Sequence, residues 1–216
     1  MEDDFYGLPI EVESEDGNTY HIEPFQATKA SIDYLWEHAG QYSFLFSDMS
    51  RGDKKRFEFA VLSPGTIILT IRQITKDGFI PVGIVMADTI KPEWDAHVHY
   101  LFWDKKQEGR HRVLLVALRW LMDEFMLKRV TGEIMQYAYA ALRRAKKLGF
   151  LLEGRKRAGT IWREKHTDVF QFGILFEELT DEVIERTYIE RTPEEASWFG
   201  LLEDNYALAH AMTKER

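Results

Sequence analysis

The 216-residue chain contains no cysteine. Disulfide staples and thiolate metal centres are thereby excluded, and a reducing compartment suits the composition. It also lacks an apolar run long enough to cross a bilayer and a leader-like N-terminus, so no membrane role is expected. Internal repeats and low-complexity segments are missing too. Basic residues are absent from residues 1–24, which hold eight acids, while residues 177–216 hold eleven acids and four bases. With a net charge of -8, this leaves residues 25–176 at +7. A basic middle suits an anionic ligand such as a nucleotide, and acidic ends suit solubility or a basic partner. What is present is a hydrophobic content of 45%. That is enough for one domain with a sizeable core and terminal extensions.

Periodicity lays out the elements. A short strand is read at residues 10–13 and another at 20–25. Residues 27–37 carry a helical pattern with Ile32, Leu35 and Trp36 on its apolar face. The connector Tyr42-Ser-Phe-Leu-Phe46 is unusually aromatic, and residues 53–61 suit a second short helix. Strands follow at 66–74 and 79–90 about a Lys76-Asp77-Gly78 turn, then at 96–103. Apolar residues at 113, 114, 117, 118, 120, 121 and 125 fix the main helix. A strand at 128–136, a helix at 139–148 and a strand pair at 151–162 and 169–179 complete the order β-α-α-β-β-β-α-β-α-β-β. A meander followed by alternating strand and helix implies an α/β fold, a mixed sheet with helices on both faces.

The chain turns on Trp103 to Phe125. A strand feeds a basic turn containing Gly109, and the turn opens a helix. The first N–H groups of a helix lack internal partners and attract phosphate oxygens. Gly109 allows close backbone approach, and Arg110, His111 and Arg112 add charge. Lys106-Gln107-Glu108-Gly109-Arg110-His111 resembles the pyrophosphate loop of the GNAT N-acetyltransferases, Arg/Gln-x-x-Gly-x-Gly/Ala. Ala145-Lys-Lys-Leu-Gly-Phe150 followed by Leu-Leu-Glu-Gly-Arg155 resembles that family's Lys-Leu-Gly-Phe…Glu-Gly-Arg signature. Asp168 to Glu178 is similar to the last strand of the ribosomal-protein-alanine acetyltransferase branch. The resemblance covers residues 19–179, flanked by an acidic lead-in (1–18) and an acidic helical extension (180–216). Within that extension Thr192-Pro193-Glu194-Glu195 reads as a helix start, and Trp198-Phe199 as an anchor for the domain itself, a protein partner or a second copy.

The resemblance implies an acyl-CoA N-acyltransferase fold with acetyl-CoA as cosubstrate. Leu101, Phe102 and Trp103 would offer backbone to the pantetheine arm, and Gln107, Gly109, Arg110, His111 and Arg112 would hold the pyrophosphate. The helix at 27–37 and the aromatic connector would line the acceptor side. Acyl transfer needs a base for the amine and a proton for the leaving thiolate. Glu133 and His99 are candidate bases, and Tyr139, beside Tyr137, is a candidate acid. His97 and His99 share one strand face. With His111 they raise the question of a metal, but no acidic ligand is placed beside them by sequence, so no metal is expected. Four positions depart from the family's ligand-facing pattern: Ala138, Ala141, Ala145 and His111.

Two functions follow. One is an acetyl-CoA-dependent N-acetyltransferase acting on a primary amine of a protein terminus, a lysine or a small molecule. The other is a GNAT-like domain without turnover, a binding or structural part of a larger assembly such as a phage virion. A cytoplasmic location, or one inside such an assembly, is expected. Nucleic acid is not an expected partner: Arg143, Arg144, Lys146, Lys147, Arg155, Lys156 and Arg157 form a patch, but the chain lacks the net positive charge that phosphate-backbone binding needs.

Overall fold

The computed structural model describes residues 9–40, 52–103, 109–162 and 165–186. The lead-in before Pro9, the aromatic connector, Lys106 to Glu108 and the helix expected after Thr192 lie outside them. The chain divides into two compact units, Met1–Val130 and Thr131–Arg216.

The first unit is an antiparallel meander of five strands: β1 (Ile10–Glu13), β2 (Thr19–Pro24), β3 (Ile67–Thr75), β4 (Gly78–Lys91) and β5 (Asp95–Phe102). Alternation along β4 buries both of its faces. Ile84 and Met86 join Leu101 and Ile68 in a core closed by α1 (Lys29–Ala39) and α2 (Lys54–Val61), through Ile32, Leu35, Ala39, Phe57 and Val61. Val85 and Ala87 point the other way. They are buried as well, and α3 (His111–Glu124) packs against β1 and β4. Helix starts are set by sequence. Thr28 Oγ1 accepts from Ser31 N–H at 3.2 Å to cap α1. Asp53 Oδ1 accepts from the N–H groups of Lys55 (2.9 Å) and Arg56 (3.3 Å) to cap α2. Both are preferred N-cap residue types, and each satisfies donors that the helix cannot.

The second unit is built from β6 (Arg129–Met135), α4 (Tyr139–Lys147), β7 (Leu151–Trp162) and β8 (Lys165–Leu175), with strand order β6-β8-β7 and β7 antiparallel to β8. α4 buries Leu142 and Ala145. It ends at Gly149, whose φ of 84° is the left-handed value that glycine tolerates. Its last turn carries Arg144, Lys146 and Lys147. These cations suit the negative end of the helix. The last strand ends at Leu175 rather than 179: Phe176–Glu178 forms a 3-10 turn, and Glu178 accepts from the Leu175 N–H at 2.8 Å, closing the strand. A short α5 (Asp181–Arg186), which the periodicity does not resolve, follows. No helix among the described residues is long and apolar enough to cross a membrane.

Candidate active site

The start of α3 is shaped by one glycine and by the β1–β2 turn. Gly109 has a φ of 81°. A Cβ there would lie 2.8 Å from Asp16 Cβ and 3.1 Å from Asp16 N. The position needs glycine on both counts. The Gly109 carbonyl accepts from Asp16 N–H (3.2 Å) and from Ser14 Oγ (2.6 Å). Arg110, at the N-cap position, has no side-chain cap of its own. The cap comes from Glu15, whose two carboxylate oxygens each lie 3.4 Å from the Arg112 N–H, with His111 Nδ1 at 3.5 Å. Burial pushes the Glu15 carboxyl up, but hydrogen bonds from His111, its own backbone, Ser14 and the Arg112 backbone outweigh that and lower its pKa to about 2. Hydrogen bonds to the charged form favour it. An anion therefore does stand at the N-terminus of α3, and it belongs to the chain itself.

Arg110 turns inward. Its side chain is buried, only 2% of the residue being exposed. The guanidinium lies over the rings of Tyr20 (5.1 Å) and Phe102 (5.2 Å). Such cation–π contacts strengthen when water is excluded. Its Nε donates to Tyr20 Oη at 2.6 Å and lies 3.7 Å from Asp16 Oδ2. Tyr20 donates in turn to Asp16 Oδ2 at 2.5 Å. Burial and the Asp16 carboxylate push the Tyr20 hydroxyl up to about 12 against the pull of Arg110. It therefore remains a donor. The Arg112 guanidinium reaches the Glu13 carbonyl at 3.4 Å.

The end of β5 presents Leu101 on the α1–α2 face, Phe102 on the α3 face, and Trp103 beyond the strand. Trp103 N–H donates to Val82 O (3.2 Å) and its indole N–H to Pro81 O (3.0 Å). Phe25, Tyr34, Arg72, Pro81 and Trp103 line a cavity of about 270 Å³ beside α1.

A larger cavity, about 640 Å³, opens on the same sheet face under α2, lined by Lys55, Arg56, Phe59, Met86, Thr89 and the group Asp88, His97 and His99. His97 Nδ1 is 3.3 Å from Asp88 Oδ1, and His99 Nε2 is 3.2 Å from Asp88 Oδ2. The two rings meet edge to face at 4.4 Å. All three residues are half-buried. Burial pushes the Asp88 carboxyl up, yet the hydrogen bonds and charges of the two imidazoles hold it well below the usual carboxylate range.

The backbone explains why these three meet. Lys91 pairs with Asp95, but Asp88 pairs with His97, so β4 carries one residue more than β5 between the two pairs. That bulge is taken up at Thr89, with a φ of 51°. An extra residue of this kind bends the strand and re-aims its side chains. Without it Asp88 would oppose Val98, one residue out of step with the histidines, because side chains alternate between faces.

In the second unit, Glu133 on β6 is paired with Lys156 and lies 3.4 Å from Gln171 Nε2. Tyr137 donates to Met135 Sδ at 2.7 Å, and Tyr139 opens α4. Ala138 sits at the α4 N-cap without a side-chain cap. Arg155 pairs with Asp168, which also accepts from Ala158 N–H at 2.8 Å. The basic patch is thus partly neutralised within the fold.

No family model matches the sequence, and no curated protein matches it either. Solved structures do. The chain superposes on a spermidine N-acetyltransferase from Vibrio cholerae in complex with CoA and spermine, at TM-score 0.62 and 12% identity over 74% of this chain and 97% of that one. A GNAT-family acetyltransferase from Bacillus anthracis gives TM-score 0.55 and 17% identity over 78% of this chain and 100% of that one. A further candidate acetyltransferase gives TM-score 0.58 and 18% identity over 82% of this chain and 92% of that one. The fold is that of the GNAT acetyltransferases.

Two residues of the site are not visible in the sequence motifs. Asp88 lies on the neighbouring strand, and the signal for it is the hairpin: a strand–turn–strand with a bulge brings residues nine apart together. Glu15 lies 97 positions before Arg112, and only the acidic bias of residues 1–24 hints at it.

Proposed function

We propose that the chain is an acetyl-CoA-dependent N-acetyltransferase acting on a primary amine. The observation that carries this reading is the Asp88–His99 pair, facing a cavity of about 640 Å³ on one sheet face of a GNAT fold. Cavities of this size hold small molecules or a peptide end. Asp88 orients the imidazole by accepting from Nε2–H, the tautomer with its lone pair on Nδ1. The acceptor's ammonium gives its proton to Nδ1 of His99, and the neutral nitrogen attacks the acetyl carbonyl carbon. The C–S bond breaks, and the thiolate takes the second proton, which the nitrogen sheds as it becomes an amide. Glu133 is the weaker candidate base, because Lys156 and Gln171 already engage its carboxylate. Gln107, Gly109, His111, Arg112 and, through its backbone, Arg110 are proposed to hold the pyrophosphate, with Leu101, Phe102 and Trp103 along the pantetheine arm.

The cavity also bears on the acceptor. Among the described residues, Lys55 and Arg56 line it, with one carboxylate, Asp88. A polycation would meet net repulsion there. The acceptor is therefore an amine on a neutral or acidic carrier, such as an acidic peptide N-terminus, rather than a polyamine of the kind bound by the Vibrio cholerae protein. One observation favours the alternative, a GNAT domain that binds without turnover: the Glu15 carboxylate already occupies the Arg112 N–H at the start of α3.

Calorimetry with acetyl-CoA, followed by a thiol-release assay across acidic peptides, alanine-ended peptides, amino-acid amides and spermidine, decides between them. Micromolar binding, with turnover on a peptide or amide lost in His99→Ala, is expected. Binding without thiol release on any acceptor, or no binding at millimolar acetyl-CoA, would end the enzyme reading and leave the silent module.

A further inference from the structure

We propose that Asp88, His97 and His99 form a binding site for one first-row divalent metal ion, zinc being the best-suited occupant. The proposal stands on the geometry of the three side chains and does not rest on the acetyltransferase reading, with which it competes for His99.

One ligand atom from each residue lies within 4.8 Å of the other two. His97 Nδ1 lies 3.3 Å from Asp88 Oδ1 and His99 Nε2 lies 3.2 Å from Asp88 Oδ2, edges close to those of a coordination shell. A zinc ion bonds imidazole nitrogen and carboxylate oxygen at about 2.0–2.2 Å, which puts neighbouring tetrahedral ligands roughly 3.4 Å apart. Little rearrangement is needed to admit an ion between groups already spaced this way.

The donor set names the ion. Two imidazoles and one carboxylate suit zinc, nickel, cobalt or copper, whereas magnesium and calcium prefer all-oxygen shells. Three protein ligands leave a fourth position, where water or a ligand can complete the shell. Here that side is the cavity under α2. Thr89 Oγ1 donates to Asp88 Oδ1 at 3.1 Å. That outer contact fixes the carboxylate. The chain also accepts a bulge with a β-branched residue at φ 51° to bring Asp88 opposite His97. Bulges of this kind re-aim side chains beside functional sites. By sequence no metal is expected, because no acidic partner is placed beside the histidines, and Asp88 supplies that partner.

Occupancy has a consequence for His99. An ion on Nε2 moves the ring proton to Nδ1, so the imidazole can no longer act as a base there. Metal and acetyl transfer through His99 therefore exclude each other.

The test is a zinc titration of the chelator-treated full chain by calorimetry, paralleled by cobalt(II) monitored through its visible d–d absorption. One equivalent bound at micromolar affinity or tighter is expected, with cobalt bands of a low-coordinate nitrogen–oxygen site. Asp88→Asn and His97→Ala should each weaken binding roughly tenfold or more, and His38→Ala should leave it unchanged. Circular dichroism of each variant shows whether it is folded. The wild-type titration decides on its own if a variant is not. The absence of saturable zinc binding, or binding of equal strength in folded Asp88→Asn and His97→Ala, overturns the proposal whether or not the chain binds acetyl-CoA.

Discussion

Arg110 shows how a charged side chain becomes part of the fold. Its place in the turn before α3 invites a phosphate-binding role. The fold instead buries the guanidinium between Tyr20 and Phe102 and ties it to the Tyr20 hydroxyl and Asp16. A buried ion pair adds little against an apolar replacement, but removing one partner strands the other. Arg110→Ala should lower stability by about 3 kcal/mol, since it leaves Asp16 without its cation and opens a cavity. Adding Asp16→Asn to that variant should recover a measurable part of the loss, and urea unfolding of the three proteins checks both statements. If Arg110 instead served a ligand from the surface, the single variant would unfold like wild type and lose only CoA affinity. Side-chain direction is what the sequence does not encode locally: Arg110, His111 and Arg112 are consecutive, yet helix geometry sends the first inward and the other two toward Glu15 and Glu13.

At the scale of elements, the β4–β5 hairpin carries the most chemistry and the most strain. Thr89 holds a φ of 51°. That value is costly for a β-branched side chain. Thr89→Gly should raise the unfolding free energy by roughly 0.5–1 kcal/mol, because glycine adopts that conformation without clash. The gain is read in the urea midpoint. The same variant loses the hydroxyl contact to Asp88, so tighter folding with weaker zinc binding is the expected pairing. This hairpin also marks how far sequence reading reaches. The period-two pattern locates β4 and β5 to within a residue or two, and it places His97 and His99 on one face. It cannot count the bulge, and a one-residue error in register removes Asp88 from that face. The start of α3 is legible for a different reason. Gly109 is required by its backbone and by the close passage of Asp16, so the residue type itself records the geometry. The last strand is shorter than its apolar pattern implies, because that pattern continues through Phe176 and Leu179 and only the Glu178 cap breaks it.

For the whole molecule, the relevant quantity is how many protons the folded chain declines to bind. Glu15, Asp33, Asp88 and Asp168 all have depressed pKa values, each through partners that the unfolded chain lacks. A depressed carboxyl contributes stability that is fully present above its unfolded pKa and is lost as pH falls toward the folded one. For Glu15 that window runs from 4.5 down to about 2. Stability should therefore be flat from pH 7 to about 5 and fall below it, well before the folded-state carboxylates themselves titrate. By pH 3 the Glu15 share of that loss is on the order of 1–2 kcal/mol, after allowance for its partial exposure. Glu15→Gln should accordingly be less stable than wild type at pH 7 but lose less between pH 7 and pH 3, so that the two proteins converge in acid. Urea midpoints at pH 7, 5 and 3 measure this directly. Parallel curves would mean that the Glu15 cap on α3 is absent in solution. The Arg112 N–H would then be open to phosphate, and the one observation favouring a silent module would fall with it.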